Sequence, residues 1–149
     1  MIKKEQINAI KDWYNSYQND MLLIDAIKLY SSLIDEELWE LWDAIECNDL
    51  IEVYDAYADI IRVSVTLNYL SVRRYECLSK KAENMIYFIT KIADNELLSM
   101  CIDEVIKSNN TKSKQKDKNW KIMKWVDYVR PDIKKVFEDY GKSLQLTSK

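Results

Sequence analysis

One glycine, Gly141, and one proline, Pro131, are all that this chain of 149 residues contains. Both lie near its C-terminal end. The long stretch before Pro131 thus lacks the residues that most often break helices and build tight hairpins. Such a chain has little choice but long helices joined by short turns, and a β-rich fold is excluded. Hydrophobic residues make up 48% of the chain, with five Trp and ten Tyr, so one domain spanning 1–149 can bury a core of ordinary size.

Apolar spacing marks the helices. Residues 2–18 place Ile7, Ile10, Trp13, Tyr14 and Tyr17 on one side, and Asn19-Asp20 breaks the pattern. Residues 22–46 carry the stripe Leu23, Ile27, Tyr30, Ile34, Leu38, Leu41 and Ile45. Asn48 then suits a helix C′ position and Asp49 an N-cap. A third helix runs from about 50 to the low 70s, with Ile51, Tyr54, Ala58, Ile61 and Val65 as its stripe. Residues 80–107 read as helix again, interrupted near Asp94-Asn95. Residues 108–121, SNNTKSKQKDKNWK, are polar and Lys-rich and predict a flexible loop. A last short helix is expected over 132–144, stopping at or just after Gly141. The expected architecture is all-α: a four-helix-bundle-like core with a short C-terminal helix added.

Charge and cysteine content narrow the function classes. A net charge of −3 makes no electrostatic case for nucleic-acid binding. The absence of His excludes imidazole catalysis and His-based metal sites. Cys47, Cys77 and Cys101 show no CxxC spacing, which fits reduced thiols in a cytoplasmic protein. No apolar run reaches the roughly 18 residues of a membrane span, and the N-terminus lacks a signal-peptide core.

The chemistry lies in the acids. LIDEELWELWDAI carries Glu36, Glu37 and Glu40, and LIEVYDAYADIIRV carries Glu52, Asp55 and Asp59. At roughly 100° per residue, Glu37 falls inside the apolar arc set by Ile34, Leu38, Leu41 and Ile45, with Glu40 at its edge. Asp55 lies at the edge of the arc of the next helix and Asp59 just beyond. A charge turned toward a core is costly unless paired or bound to metal, and Arg62 is the one cation at a matching position. With the hairpin pivoting near Asn48, Glu40 and Glu37 lie eight and eleven residues before it, and Asp55 and Asp59 seven and eleven after. These four come level. Glu52 does not, and its place three residues after Asp49 makes it the reciprocal partner in a capping box. Paired carboxylates facing across a helix hairpin suit a hard divalent cation, Mg²⁺ or Mn²⁺.

These residues resemble a known family. EELWE (36–40) is similar to the EExxE motif of the all-α nucleoside triphosphate pyrophosphohydrolases, the group that includes MazG-like proteins, dimeric dUTPases and phosphoribosyl-ATP pyrophosphohydrolase. DEVIKSNNTK (103–112) resembles the EVxxSNxxK segment of the MazG-like branch, and YVRPDI (128–133) its later PPD[IL] ending. Asp59 falls where the family's ExxD motif ends. By spacing the glutamate of that motif falls on Ala56. Asp55 with Asp59 is the nearest replacement, and Glu52-xx-Asp55 is the alternative. The stretch between Val65 and Asp103 is longer than in relatives, so an extra helical segment is expected. The Lys-rich 112–124 region lacks the family's Gly-rich loop.

The resemblance implies hydrolysis of a nucleoside triphosphate between its α- and β-phosphates, releasing pyrophosphate. In that reading Mg²⁺, or Mn²⁺, is held by Glu37, Glu40, Asp55 and Asp59, and Glu36 orients or deprotonates a water. Lys107, Ser108, Asn109 and Lys112 contact phosphates or sugar. Trp13, Tyr14, Tyr17, Trp39 and Trp42 are candidates for holding the base, with core or subunit interface as their other use. Relatives form dimers or tetramers, so a homo-oligomer is expected. Two rival readings stay open: a binder that keeps the fold without turnover, and a helical interaction protein whose acids are solvated charge.

Overall fold

Eight consecutive residues of this protein, Ile60 to Leu67, are buried. A helix with no face left for water must be surrounded by other helices. The computed structural model, which describes residues 2–118, 121–124 and 127–147, has that arrangement. Its described helices are α1 (Lys4–Tyr17), α2 (Leu23–Glu46), α3 (Leu50–Ser71), α4 (Glu76–Ile92), α5 (Asn95–Asn109) and α6 (Ile133–Thr147). The other five all pack on α3. The protein is all-α, and no strand forms among the described residues. None of the described helices is long and apolar enough to cross a membrane.

Burial of α3 is compatible with its polar residues because most of them bond locally. The Thr66 hydroxyl donates to the Arg62 carbonyl (3.1 Å), and the Ser71 hydroxyl to that of Leu67 (2.6 Å). The expected stripe of Ile51, Tyr54, Ala58, Ile61 and Val65 is therefore only part of what α3 buries. Val63 and Leu67 face a second cluster with Ile27, Tyr30 and Ile34 of α2.

The α2–α3 turn forms as expected, and it fixes how the two acidic helices face each other. Asn48 takes a left-handed φ of 55°. The Asp49 N–H bonds the Ala44 carbonyl (2.9 Å) and the Asn48 N–H that of Ile45 (3.0 Å). That is the Schellman pattern, which consumes the orphan carbonyls of α2. The Asp49 carboxylate then accepts from the N–H groups of Ile51 and Glu52, capping α3.

The expected break near Asp94 is also present. The Asp94 side chain caps α5 through Glu96 and Leu97 (3.0 and 2.9 Å), and its own N–H donates to the Tyr54 hydroxyl (2.9 Å). Two boundaries differ from expectation. α4 starts at Glu76, four residues before the expected start. α6 runs through Gly141 to Thr147, because Gly141 has no positive φ and meets no close neighbour to force a stop. Packing of Val136, Phe137 and Tyr140 on the core holds α6 in place, with Phe137 edge-on to Tyr54 at 5.3 Å.

The expected flexible loop is more ordered than its composition suggests. α5 extends to Asn109. Beyond it, Lys116 and Ile122 pair in an antiparallel bridge. The Asp117 N–H bonds the Lys121 carbonyl (2.9 Å), and the Met123 N–H that of Gln115 (2.9 Å). Asn119 and Trp120 of that expected loop lie outside the described residues.

Candidate functional site

Acids from α2 and α3 meet on one side of the molecule. Glu36, Glu37 and Glu40 of α2 and Glu52, Asp55 and Asp59 of α3 line a single cleft of about 390 Å³. Spacings of three and four residues put each set on one helix face. Ser108 and Asn109 of α5 close one wall, and Lys112, Lys121, Lys124, Tyr128 and Arg130 cross from the segment before α6.

One buried cation organises the floor. Arg62 is 8% exposed, and its Nε donates to Asp59 Oδ1 at 2.7 Å. Its Nη2 lies 3.9 Å from Glu37 Oε1. Burial works against the charge on Arg62, but Asp59, Tyr30 and Glu37 more than offset it and hold the guanidinium protonated. Glu37 is itself 9% exposed. Desolvation, then the charge of Asp59, pushes its carboxyl well above the ordinary range. Desolvation also raises Asp55 to about 7, with Asp59 and Glu52 adding to the effect. Glu40 rises for the same reasons in the same order, burial and then Asp59. One oxygen stands apart: Asp55 Oδ1 is buried and accepts no hydrogen bond from the protein. A buried acceptor left bare is expensive.

The structure brings most of the sequence-predicted acids to one cleft and adds residues that sequence reasoning did not name. Glu52 was expected to close a capping box. Its side chain lines the cleft instead, one turn before Asp55, while Asp49 caps α3 alone. The residues of both candidate second motifs, Asp55 with Asp59 and Glu52 with Asp55, therefore border the same space. Ala56, by contrast, is buried in the hydrophobic core, where a carboxylate would have no water.

Ser108, Asn109 and Lys112 reach the cleft, but Lys107 does not. It lies two residues before Asn109, about 200° around the helix, and binds Glu104 on the outer face at 3.1 Å. The Ser108 hydroxyl donates to the Val129 carbonyl (2.7 Å) and so holds the returning segment in place. The Asn109 side-chain NH₂ donates to the Val105 carbonyl (2.9 Å), leaving its Oδ1 buried without a partner. Lys112 sits against the Tyr128 ring, 5.8 Å from its centre, with Lys124 at 5.1 Å from the same ring. Burial, then the nearby Arg62, lowers the Lys112 ammonium to about 7.

Of the aromatic candidates, Trp13 lines the cleft. Its indole N–H donates to the Asn109 carbonyl (2.9 Å), and Tyr17 stacks on it at 5.0 Å. Tyr14 packs in the core beside Tyr30. Trp39 and Trp42 are 70% and 57% exposed and take no part in the cleft. Sequence reading missed Lys121, Lys124, Tyr128 and Arg130. The signal for the two lysines was lysine density, which describes a solvated loop equally well, and Tyr128 and Arg130 lay in the YVRPDI segment without a role of their own.

The donor set fits a hard divalent cation: oxygens only, several anionic, one of them buried and bare. Among the described residues no three acidic or thiol groups already converge on a common metal position. Glu37 and Asp59 face Arg62 instead, and Glu36 pairs with Lys121 at 2.8 Å.

The fold and cleft define an all-helical protein with an acidic pocket bordered by cations. No protein-family model, no curated protein and no solved structure matches this chain.

Proposed function

We propose that the cleft hydrolyses nucleoside triphosphates between the α- and β-phosphates, with Mg²⁺ as cofactor, in the manner of the MazG-like pyrophosphohydrolases that the sequence resembles. The observation that carries this reading is the joint placement of acids and cations. Six carboxylates from two helices share a cleft with Lys112, Lys121, Lys124 and Arg130, and the buried Asp55 Oδ1 still lacks a partner. A solvated acidic surface would have no reason to bury that oxygen.

Glu37, Glu40, Asp55 and Asp59 would hold the ion, with Glu52 beside Asp55. Bound there, Mg²⁺ supplies charge neutralisation for the phosphate oxygens and a water of lowered pKa. Glu36, about half exposed at the cleft edge, would accept a proton from the attacking water or orient it. Lys112, Lys124 and Arg130 donate to phosphate oxygens, with Arg130 able to bind two at once. Trp13 offers a flat apolar surface at the cleft wall for a base. Asn109 Oδ1, fixed as an acceptor by the bond from its NH₂ to Val105, suits an N–H donor of the base or an O–H donor of the sugar.

The oligomeric reading also belongs here. Trp39, Trp42, Ile45 and Leu50 are exposed near the α2–α3 turn, and such a group suits contact with a second copy.

A panel of NTPs and dNTPs with Mg²⁺, assayed for pyrophosphate, tests the activity. Release of pyrophosphate and monophosphate from at least one nucleotide is expected. Glu37→Gln should cut it by about 100-fold or more with helicity retained, as loss of a preorganised electrostatic group does. Orthophosphate as the product, or no product from any nucleotide, overturns the reading.

A further inference from the structure

We propose that Lys121 is an exchangeable guard on Glu36: it pairs with that carboxylate in the free protein and transfers to a phosphate oxygen when a polyphosphate binds. Glu36 is thereby left free to act on water only when substrate is present. This inference rests on the phosphohydrolase reading of the cleft.

The pair itself is the first argument. Lys121 Nζ lies 2.8 Å from Glu36 Oε2, bridging the Lys-rich segment to α2 across the cleft. Both side chains are about half exposed, at 52% and 51%. An ion pair this open to solvent is weak and easily exchanged. A phosphate group offers more negative charge and several acceptor oxygens, so it competes well for the same ammonium.

The backbone beneath Lys121 is the second argument. Its N–H donates to Asp117 Oδ1 (2.9 Å), and its carbonyl accepts from the Asp117 N–H (2.9 Å). The bridge from Lys116 to Ile122 flanks it. Lys116 in turn pairs with Asp20, at the α1–α2 turn. The main chain is thus held at a fixed place beside the cleft, while the ammonium rides on a flexible four-carbon stem. It can change partner without moving the backbone that carries it.

The neighbouring cations are the third argument, because their surroundings differ. Arg62 is buried between Asp59 and Glu37. Lys112 is packed against Tyr128 and Lys124 lies over the same ring. Among the described lysines lining the cleft, Lys121 is the one that joins an exposed position to a carboxylate of α2.

Two titrations of wild type and Lys121→Met test the exchange, with circular dichroism confirming equal helicity. One uses Mg²⁺ alone, the other inorganic tripolyphosphate in excess Mg²⁺, a probe that needs no knowledge of the base. The expected changes have opposite signs. Mg²⁺ alone binds about threefold tighter to the variant, because one positive charge leaves the acid cluster. Tripolyphosphate binds about tenfold weaker, because a charge-assisted bond is lost. Equal binding to both proteins overturns the guard, and so does a loss of both affinities, which would mark Lys121 as a structural clasp. Wild type that takes up no tripolyphosphate overturns it as well. The nucleotide panel separates the two failures. If wild type releases pyrophosphate while the titrations fail, only the guard falls. If no nucleotide is hydrolysed, the hydrolase reading falls and the guard with it.

Discussion

Arg62 has the most demanding position of any single residue. It is a buried cation facing Asp59 and Glu37, and neither acid has comparable compensation elsewhere on the cleft floor. Arg62→Met strips both carboxylates of that partner, and a loss of about 3 kcal/mol is expected in urea denaturation with EDTA present. Adding Asp59→Asn to Arg62→Met should recover part of the loss, since the carboxylate left without its 2.7 Å partner is gone. The acids also predict a pH effect. Burial raises Asp55 to about 7 and lifts Glu37 further above the carboxylate range. Each keeps its proton in the folded state over a span where the unfolded chain has lost it. The unfolded chain then binds fewer protons, so these two groups lower stability as pH climbs from about 4 toward 7 and beyond. The metal-free protein should therefore show a higher urea midpoint at pH 5 than at pH 8. Excess Mg²⁺ should raise the pH 8 midpoint more than the pH 5 one, because only ionised carboxylates bind it well.

The α2–α3 hairpin decides whether the acids meet. Asn48 holds a left-handed φ, which asparagine tolerates and alanine resists. Asn48→Ala should cost about 1 kcal/mol, whereas Asn48→Gly should be close to neutral. Asp49→Ala should cost about 1 kcal/mol by removing the cap of α3. Thermal unfolding of the three variants checks the ordering. This turn was legible before any coordinates, since Asn-Asp between two apolar-periodic runs has a known use at helix ends. The start of α4 was not, because Val72 to Tyr75 carries no capping side chain to mark it. Nor was the pairing of Lys116 with Ile122, where the residues show no β-pattern and long-range contacts from Lys116 to Asp20 and from Lys121 to Glu36 hold the two sides in place.

At the scale of the molecule, α3 is a central rod with five helices packed on it, and the acidic cleft opens where α2, α3 and α5 leave a gap. Trp39, Trp42 and Ile45 lie away from that gap and face solvent. If they join two copies, Trp42→Glu should shift sedimentation-equilibrium mass from dimer toward monomer while circular dichroism stays unchanged. A wild-type mass of one chain, 17.8 kDa, would show that this face has another use.

Breaker scarcity and helical periodicity were enough to establish an all-α chain, its α2–α3 turn and the inward tilt of Glu37, because each depends on residues within a few turns of one another. That Glu40, Asp55 and Asp59 border one cleft agrees with rise per residue about a known pivot. Side-chain roles that depend on residues distant in sequence could not be read this way. Glu52 turned out to border the cleft, Lys107 to face away, and Lys121 to reach Glu36 across 85 positions of chain. Local pattern carries helix phase, but only the packed tertiary structure decides which faces meet, since that outcome minimises the buried charge and unfilled space of the whole molecule at once.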